Sequence, residues 1–503
     1  MEILNKTFTR LNITIVLIVI QILIYANLLL RFIYLMPFVS AASSLISVAI
    51  ILWLVKKDEA ASLRISWILI IVALPIPGIV LYLLFGNTYP SRKIKKRIAQ
   101  ESEKTTPLLE CSFNLQAGRA EGCIEYIRNA SSYPAYQNTQ TKYYPLGSLQ
   151  FEDMLLELNA AKKFIFLEYF IIEDGEMWQR LLEVLMRKVE EGVEVRLIFD
   201  DLVSQYLFTG KFKKSLRAKK IKIVRFNPIT PFFRPFMNHR DHRKLMIIDG
   251  HTCFTGAVNI VDEAIHVTED FGVWKDTGIR LKGKAVWSTT LMFIEIWNSF
   301  CESAELIRNY DFYRCEVSFE NDGIVVPYGD SPLLSERIGE NVYIDILNQA
   351  KDYVYIFTPF LIISEKMIYA MQMAAKRGVD VRIVLPGKYD WKRAIIQRVS
   401  RSYYKYMLKA GIKIYESPTG YLHAKNFVCD DEIGVIGTIN LDYRSLYLHF
   451  ECAVLLYQCE VIQCMKQDAL ETIDSSIEIL PDDKRRPGSY FFDAIIHIFA
   501  PIL

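Results

Sequence analysis

Residues 242–249 read HRKLMIID, and 181 positions later (423 − 242) residues 423–430 read HAKNFVCD. Both stretches contain a His, a Lys two positions further on and an Asp seven positions further on. The apolar run between the Lys and the Asp is typical of a buried strand. Because successive strand side chains alternate, the His and the Lys lie on one face. The repeat predicts a fold made of two similar halves.

Two further polar residues keep the same offset from the His in both copies. An Asn follows the His by 17 positions (Asn259, Asn440), and an acid follows it by 28 positions (Asp270, Glu451). A single H-x-K would be weak evidence, whereas four polar residue types at identical offsets are hard to produce by chance. The pattern predicts one active site built from two half-sites.

The residue types in this set suit acid–base and phosphate chemistry. Imidazole is the side chain best placed to act as a nucleophile or to exchange a proton near neutral pH. The two Lys and two Asn side chains offer positive charge and N–H donors to a phosphate. Asp270 and Glu451 can each accept the second ring N–H of a His and so fix its tautomer. The candidate catalytic residues are His242, Lys244, Asp249, His423, Lys425 and Asp430, and the candidate phosphate-binding residues are Lys244, Asn259, Lys425 and Asn440.

Asp249 and Asp430 have a second interpretation. Each follows an apolar run and directly precedes Gly250 or Asp431. This position favours a role in holding a turn. Both roles stay open from the sequence.

A metal site is the main chemical alternative, because His and Asp are common metal ligands. A Lys beside each His would oppose a cation, however, and the sequence contains no H-E-x-x-H motif and no C-x-x-C pair. We therefore expect a site that holds no metal and uses no cofactor.

The repeat extends beyond the two motifs. In each half a strand-like run is followed by a helical pattern that ends at a Gly (Gly192, Gly378) and then by a second strand-like run. Strand, helix and strand in this order predict parallel sheets flanked by helices. We expect an α/β fold of two similar lobes that share one active site, residues 98–330 and 331–503.

The first 97 residues have a different composition. Residues 11–30, 32–55 and 65–85 contain no charged residue. Each run is about 20 residues long, enough for a helix to cross about 30 Å of hydrocarbon. We expect residues 1–97 to be a membrane anchor with two or three transmembrane segments, because Arg31 alone separates the first two runs. A cleaved signal peptide is the alternative for the first run.

Charged residues bear on orientation and partners. A basic cluster at residues 92–97 directly follows the third apolar run, which predicts a cytoplasmic catalytic region and suits anionic lipid head groups. The net charge is only +2, so no global field attracts nucleic acid. We expect membrane lipids and no nucleic acid as partners. Nine scattered Cys residues suit reduced thiols.

The residues around both motifs resemble the phospholipase D superfamily, and in particular its bacterial cardiolipin synthase branch. H-x-K-x4-D followed by G-x-x-N and a carboxylate is the superfamily signature, and the resemblance covers nearly the whole chain. Two positions depart from the branch: Ala257 stands where a second Gly is usual, and His449 stands where an Asn is usual. The matching stretches are residues 238–244, 255–259, 274–276 with Gly283, and 437–445.

The resemblance implies an enzyme that transfers a phosphatidyl group between two phosphatidylglycerol molecules, giving cardiolipin and glycerol. It implies a phosphohistidine on His242, with His423 as the acid and base. A membrane-bound phospholipase D that hydrolyses phospholipids to phosphatidic acid is the alternative, since it would use the same site with water as acceptor. An inactive scaffold is disfavoured, because every polar member of both half-sites is present.

Overall fold

The structure is a computed structural model. It describes residues 10–35, 37–57, 61–86, 92–109, 118–204, 207, 209–228, 238–268, 272–315, 317, 319–320, 322–387, 394–418, 420–481, 496 and 498–500.

The N-terminal region is helical. Its helices are α1 (Arg10–Leu35), α2 (Pro37–Lys56), α3 (Ala61–Ala73), α4 (Pro75–Phe85) and the basic α5 (Arg92–Thr105). The third apolar run is therefore two short helices and not one straight span, because Pro75 and Pro77 lack N–H donors and interrupt the helix after Ala73. Within the part of the chain that the structure describes, no helix is both long enough and apolar enough to cross a membrane.

The first lobe is built on a seven-stranded sheet in the order β1-β7-β6-β5-β2-β3-β4. Strands β2, β3 and β4 are parallel, and the other neighbours are antiparallel. The strands are β1 (Thr139–Tyr144), β2 (Phe164–Tyr169), β3 (Glu194–Asp200), β4 (Lys222–Phe226), β5 (Lys244–Ile248), β6 (Thr252–Gly256) and β7 (Gly278–Gly283). The helices in this stretch are α6 (Glu121–Ser131), α7 (Gly147–Ala160), α8 (Glu176–Glu190), α9 (Gly210–Ala218) and α10 (Val286–Phe300).

The second lobe repeats this plan in an eight-stranded sheet, β17-β12-β11-β9-β13-β14-β16-β8, beside a two-stranded sheet of β10 and β15. Its strands are β8 (Ile324–Asp330), β9 (Tyr353–Phe357), β10 (Leu361–Ile362), β11 (Asp380–Pro386), β12 (Lys413–Ser417), β13 (Asn426–Cys429), β14 (Ile433–Gly437), β15 (Leu441–Asp442), β16 (Glu451–Tyr457) and β17 (Ile477–Glu478). Its helices are α11 (Ile338–Gln349), α12 (Glu365–Lys376), α13 (Ala394–Leu408), α14 (Tyr443–Tyr447) and α15 (Val461–Asp474).

The two sheets confirm the predicted internal repeat but correct two details. Both sheets are mixed and not parallel, because β5, β6 and β7 in the first sheet and β13, β14 and β16 in the second run as antiparallel meanders. Strand β8 pairs with β16 in the second sheet, so the division between the lobes lies before residue 324 and not after residue 330.

One apolar core joins the lobes. It contains buried side chains of the first sheet, such as Phe166 and Ile247, together with side chains of the second, such as Val428 and Leu456. Helices α10 and α15 contribute to the same cluster. Because this core belongs to both sheets, it fixes how the two H-x-K strands face each other.

Candidate active site

The two histidines lie just before equivalent strands, His242 before β5 and His423 before β13. Each histidine segment is hydrogen-bonded to the other lobe. The backbone N–H of His242 donates to Phe450 O at 2.8 Å, and that of His423 donates to Lys275 O at 2.9 Å. These bonds bring each histidine beside a segment of the opposite lobe that carries an acid.

The carboxylates that bind the histidines are exchanged between the lobes. His242 Nδ1 lies 2.9 Å from Glu451 Oε2, and His423 Nδ1 lies 2.6 Å from Asp276 Oδ1. A carboxylate at Nδ1 holds the proton there, so Nε2 carries the lone pair needed by a nucleophile or a base. Each half-site is therefore completed by an acid of the other half.

Asp276 takes the place that the spacing had assigned to Asp270, which lies outside the described residues. The strand register shows the equivalence: Gly256 pairs with Gly278, and Gly437 pairs with Ala453. Asp276 and Glu451 are each two residues before these partners. The acid follows the Asn by 17 positions in the first lobe (276 − 259) and by 11 in the second (451 − 440). Because the first lobe has six more residues here, the offset shared by the other motif residues does not identify its acid.

The two lysines bring positive charge to both rings. Lys244 Nζ donates to His242 O at 2.6 Å, and Lys425 Nζ donates to His423 O. Burial, followed by the charges of Lys244 and Lys425, lowers the pKa of His242 well below its usual value. Burial, followed by Lys425, lowers the pKa of His423 to about 4, and Lys244 adds to this effect. Each ring responds to the lysine of the other half-site, so the two H-x-K motifs face one space.

The acid and the lysines respond to the same environment. Burial would raise the pKa of Asp276, but His423 and Lys425 outweigh it and hold the pKa below its usual value. Burial lowers the pKa of Lys244 to about 8 and also lowers that of Lys425. An incoming phosphate would raise the pKa of both lysines and so favour their charged form.

Both predicted asparagines are buried near the motifs. Asn259 Oδ1 accepts a bond from the backbone N–H of Ile171 at 3.3 Å, which orients its amide. Asn440 interacts with Asp442, and its Oδ1 is a buried atom with no hydrogen-bond partner among the described residues.

The carboxylates of Asp249 and Asp430 bind backbone N–H groups, which favours the turn-holding interpretation over their assignment as catalytic candidates. Asp249 accepts three backbone N–H bonds, from Lys162, Lys163 and Phe164, at 2.7–2.9 Å. Asp430 accepts the equivalent three bonds from Lys351, Asp352 and Tyr353. Both residues have a left-handed φ, 52° and 50°, which Asp tolerates in turns. Their carboxylates therefore tie the turn after the H-x-K strand to the start of the adjacent strand.

The two residues that depart from the family have clear places. Ala257 is buried and donates its N–H to Thr277 O, as Thr438 does to Cys452 O in the other lobe. His449 lies two residues before Glu451, as Trp274 lies two before Asp276. Its ring packs 5.6 Å from that of His242, and Trp274 packs 5.5 Å from His423.

The arrangement can perform a two-step transfer at phosphorus. It holds two imidazoles with oriented tautomers and two ammonium groups around one space. One ring can attack while the other supplies and removes protons.

Comparison with known proteins agrees with this geometry. A family model described as "Cardiolipin synthase, PLD-like domain" matches residues 154–279 and 343–472, half of the chain. A second, described as "Phospholipase_D-nuclease N-terminal", matches residues 45–87. Cardiolipin synthase 1 of Bacillus cereus is 30% identical, over 94% of this chain and 95% of its own. Cardiolipin synthase of Oceanobacillus iheyensis is 32% identical, over 90% and 96% respectively.

A solved structure shares the fold. Phosphatidylserine synthase of Haemophilus influenzae superposes with a TM-score of 0.56, over 76% of this chain and 98% of that one, at 14% identity. The duplicated lobes and the sequence match together define the class: the chain belongs to the phospholipase D superfamily. Within it, the chain belongs to the bacterial cardiolipin synthase family, and it is a phosphatidyltransferase by family.

Proposed function

We propose that this protein transfers a phosphatidyl group from one phosphatidylglycerol molecule to another, releasing cardiolipin and glycerol. The observation that carries the proposal is the crossed pairing of His242 with Glu451 and His423 with Asp276, which orients two imidazoles toward a space bordered by two lysines. Membership of the cardiolipin synthase family supports the choice of substrate.

In the first step, Nε2 of His242 attacks the phosphorus of the donor lipid. A P–N bond forms, the P–O bond to glycerol breaks, and His423 gives its Nε2 proton to the departing oxygen. Glu451 stabilises the charge that develops on the ring of His242, as a buried acid does in a catalytic triad. The product of this step is a phosphatidyl-histidine on His242.

In the second step, Nε2 of His423 removes a proton from a glycerol hydroxyl of the acceptor lipid. The hydroxyl oxygen attacks the phosphorus, the P–N bond breaks and His242 is regenerated. One phosphodiester replaces another, so the reaction needs no nucleotide. We propose no metal or cofactor for catalysis, because ammonium groups supply positive charge at the phosphorus.

The phosphoryl oxygens are held by Lys244, Lys425, Asn259 and Asn440 in this proposal. Buried ammonium groups interact strongly with a phosphate because little water screens them. Bound phosphate in turn raises the pKa of His423 from its low value in the free protein, so that this ring takes up at Nε2 the proton that it gives to the departing alcohol.

We also propose that the protein acts at the cell membrane, with residues 1–97 as a multi-pass anchor and the catalytic lobes on the cytoplasmic side. Large apolar side chains on α1 and α2 are exposed in the isolated chain, including Leu23 at 62% and Leu45 at 73%. Lipid would cover this apolar surface. Helix α5 exposes Lys93, Lys95 and Lys96, which suit anionic head groups.

The direct test is to incubate the purified full-length protein with phosphatidylglycerol vesicles and to identify the lipids formed. We expect cardiolipin and glycerol in equal amounts. Phosphatidic acid alone would mean that water is the acceptor, and the protein would then be a phospholipase D. His242→Ala and His423→Ala should each abolish product, whereas a chelator should leave the rate intact.

Trapping of the intermediate separates the roles of the two histidines. With phosphatidylglycerol labelled in its phosphate, label should become bound to wild-type protein and, more slowly because the acid is missing, to His423→Ala, but not to His242→Ala. The variant His251→Ala is the matched control, since His251 bonds to Thr252 on a turn of the first sheet. Label that is retained in His242→Ala and lost in His423→Ala would reverse the assignment.

A further inference from the structure

Beside the nucleophile lies a cluster that the transfer mechanism uses only in part. His242, His449 and Glu451 are at least nine-tenths buried, with exposures of 6%, 8% and 0%. One ligand-type atom of each lies within 4.8 Å of the others. Catalysis uses the bond between His242 and Glu451 and leaves His449 without a role.

Three polar atoms of this cluster are unsatisfied. Both ring nitrogens of His449 and Oε1 of Glu451 are buried without a hydrogen-bond partner among the described residues. His449 Nδ1 lies 3.7 Å from Glu451 Oε1, too far for a hydrogen bond. Buried polar atoms without protein partners are rare in folded proteins, so these three atoms are available to a ligand.

The chemistry of the three groups matches a transition-metal ion. Two imidazoles and one carboxylate are a common ligand set for Zn²⁺. With bonds of about 2.0–2.1 Å in a tetrahedral site, ligand atoms stand about 3.4 Å apart. Here His242 Nδ1 lies 2.9 Å from Oε2 of Glu451, and His449 Nδ1 lies 3.7 Å from its other oxygen, Oε1. With one ligand atom from each residue all three lie within 4.8 Å, so small side-chain rotations would bring them to this spacing.

We propose that His242, His449 and Glu451 form an inhibitory binding site for Zn²⁺. The ion would bind the imidazole of His242 and draw Glu451 away from its tautomer-fixing bond, so that the ring could not attack phosphorus. The charges of Lys244 and Lys425 oppose a cation, so binding is weaker than at a structural zinc site and is reversed by a chelator. The site therefore regulates a reaction that itself uses no metal.

Metal binding is tested without any activity measurement by titrating the purified full-length protein in detergent with Co²⁺. Visible absorption of bound Co²⁺ reports nitrogen and oxygen ligands in a tetrahedral site. We expect the band in wild type and in the control His251→Asn, and its loss in His449→Asn. A wild type without the band, or an equal band in His449→Asn, would overturn the proposal.

Inhibition is tested by adding Zn²⁺ to the transfer assay, with each variant compared to its own metal-free rate. We expect Zn²⁺ to inhibit wild type and His251→Asn reversibly, and His449→Asn to require at least about tenfold more Zn²⁺ for half inhibition. Equal inhibition of all three proteins would contradict the site. This arm rests on the proposed function; if no cardiolipin forms or His449→Asn is inactive, the Co²⁺ titration decides alone.

Discussion

At the scale of single residues, the acids show where sequence reasoning reached its limit. Glu451 was found from its offset and does bind a histidine, but the histidine is His242 of the other half. The acid of His423 is Asp276, which a six-residue insertion moves out of the repeat spacing. A sequence records offsets along the chain, whereas the acid is defined by its register across strands. Asp276 lies two residues before β7, the strand whose first residue pairs with Gly256 of the G-x-x-N motif. This position relative to the strand is the signal that could have identified it.

The first prediction compares Asp276→Asn with Asp270→Asn. Loss of the Asp276 charge removes the group that fixes the tautomer of His423, so kcat should fall about 10³-fold or more with little change in fold. Asp270→Asn should change kcat far less. Initial rates of cardiolipin formation and the melting temperature of both variants provide the measurement. A larger loss of kcat in Asp270→Asn than in Asp276→Asn would support Asp270 as the acid that orients His423.

The second prediction concerns pH. Burial lowers the pKa of Lys244 to about 8, and a lysine is charged below its pKa, so its attraction for phosphate is lost as pH rises through this value. We expect kcat/KM to fall above about pH 8. Bound phosphate raises the pKa of the lysine, so the fall in kcat should come at higher pH. Profiles of both parameters between pH 6 and 10 check this, and superimposable alkaline limbs would contradict it.

At the scale of elements, the sequence predicted the repeated strands and helices well. The terminal glycines Gly192 and Gly378 located the ends of helices α8 and α12 to within two residues. It failed on strand direction, because the runs after each H-x-K motif are short and reverse at turns. The carboxylates of Asp249 and Asp430 organise those turns, so we expect these motif residues to stabilise the fold of the element and not to act on phosphorus.

The third prediction tests this role with Asp249→Asn and Asp430→Asn. Asn tolerates a left-handed φ but has one acceptor oxygen, so at Asp249 the bond from Lys162 N–H is lost. We expect a loss of about 1–3 kcal/mol in the free energy of unfolding, with kcat of the folded enzyme nearly unchanged. Urea denaturation and initial rates measure both quantities.

Asp430→Asn serves as the internal comparison. Asp430 also accepts from Arg119 at 2.7 Å, so its substitution should destabilise the protein more than that of Asp249. A large loss of kcat without loss of stability in either variant would return these acids to the catalytic set.

At the scale of the whole molecule, the active site depends on how the lobes meet. The duplication could be predicted from the motifs, because both copies keep the same residue types. The exchange of acids between lobes could not, since it depends on the core shared by the two sheets. Asp468 on α15 adds a polar tie: it accepts from Tyr143 and Lys275 of the first lobe, each at 2.6 Å.

The fourth prediction tests whether this tie controls catalysis. The backbone N–H of Lys275 donates to Tyr421 O at 3.0 Å, and its carbonyl accepts from His423 N–H at 2.9 Å. Asp468 therefore binds the side chain of the residue whose backbone holds His423. In Asp468→Asn the ammonium of Lys275 loses its charged partner, and small displacements of a reacting group cost about 10²-fold in rate. We expect kcat to fall by about that factor while KM changes little. Asp431→Asn is the control, because this exposed acid binds Lys466 within the second lobe. If both variants keep wild-type kcat, the apolar core alone holds the histidines together, and the polar contacts between the lobes are dispensable.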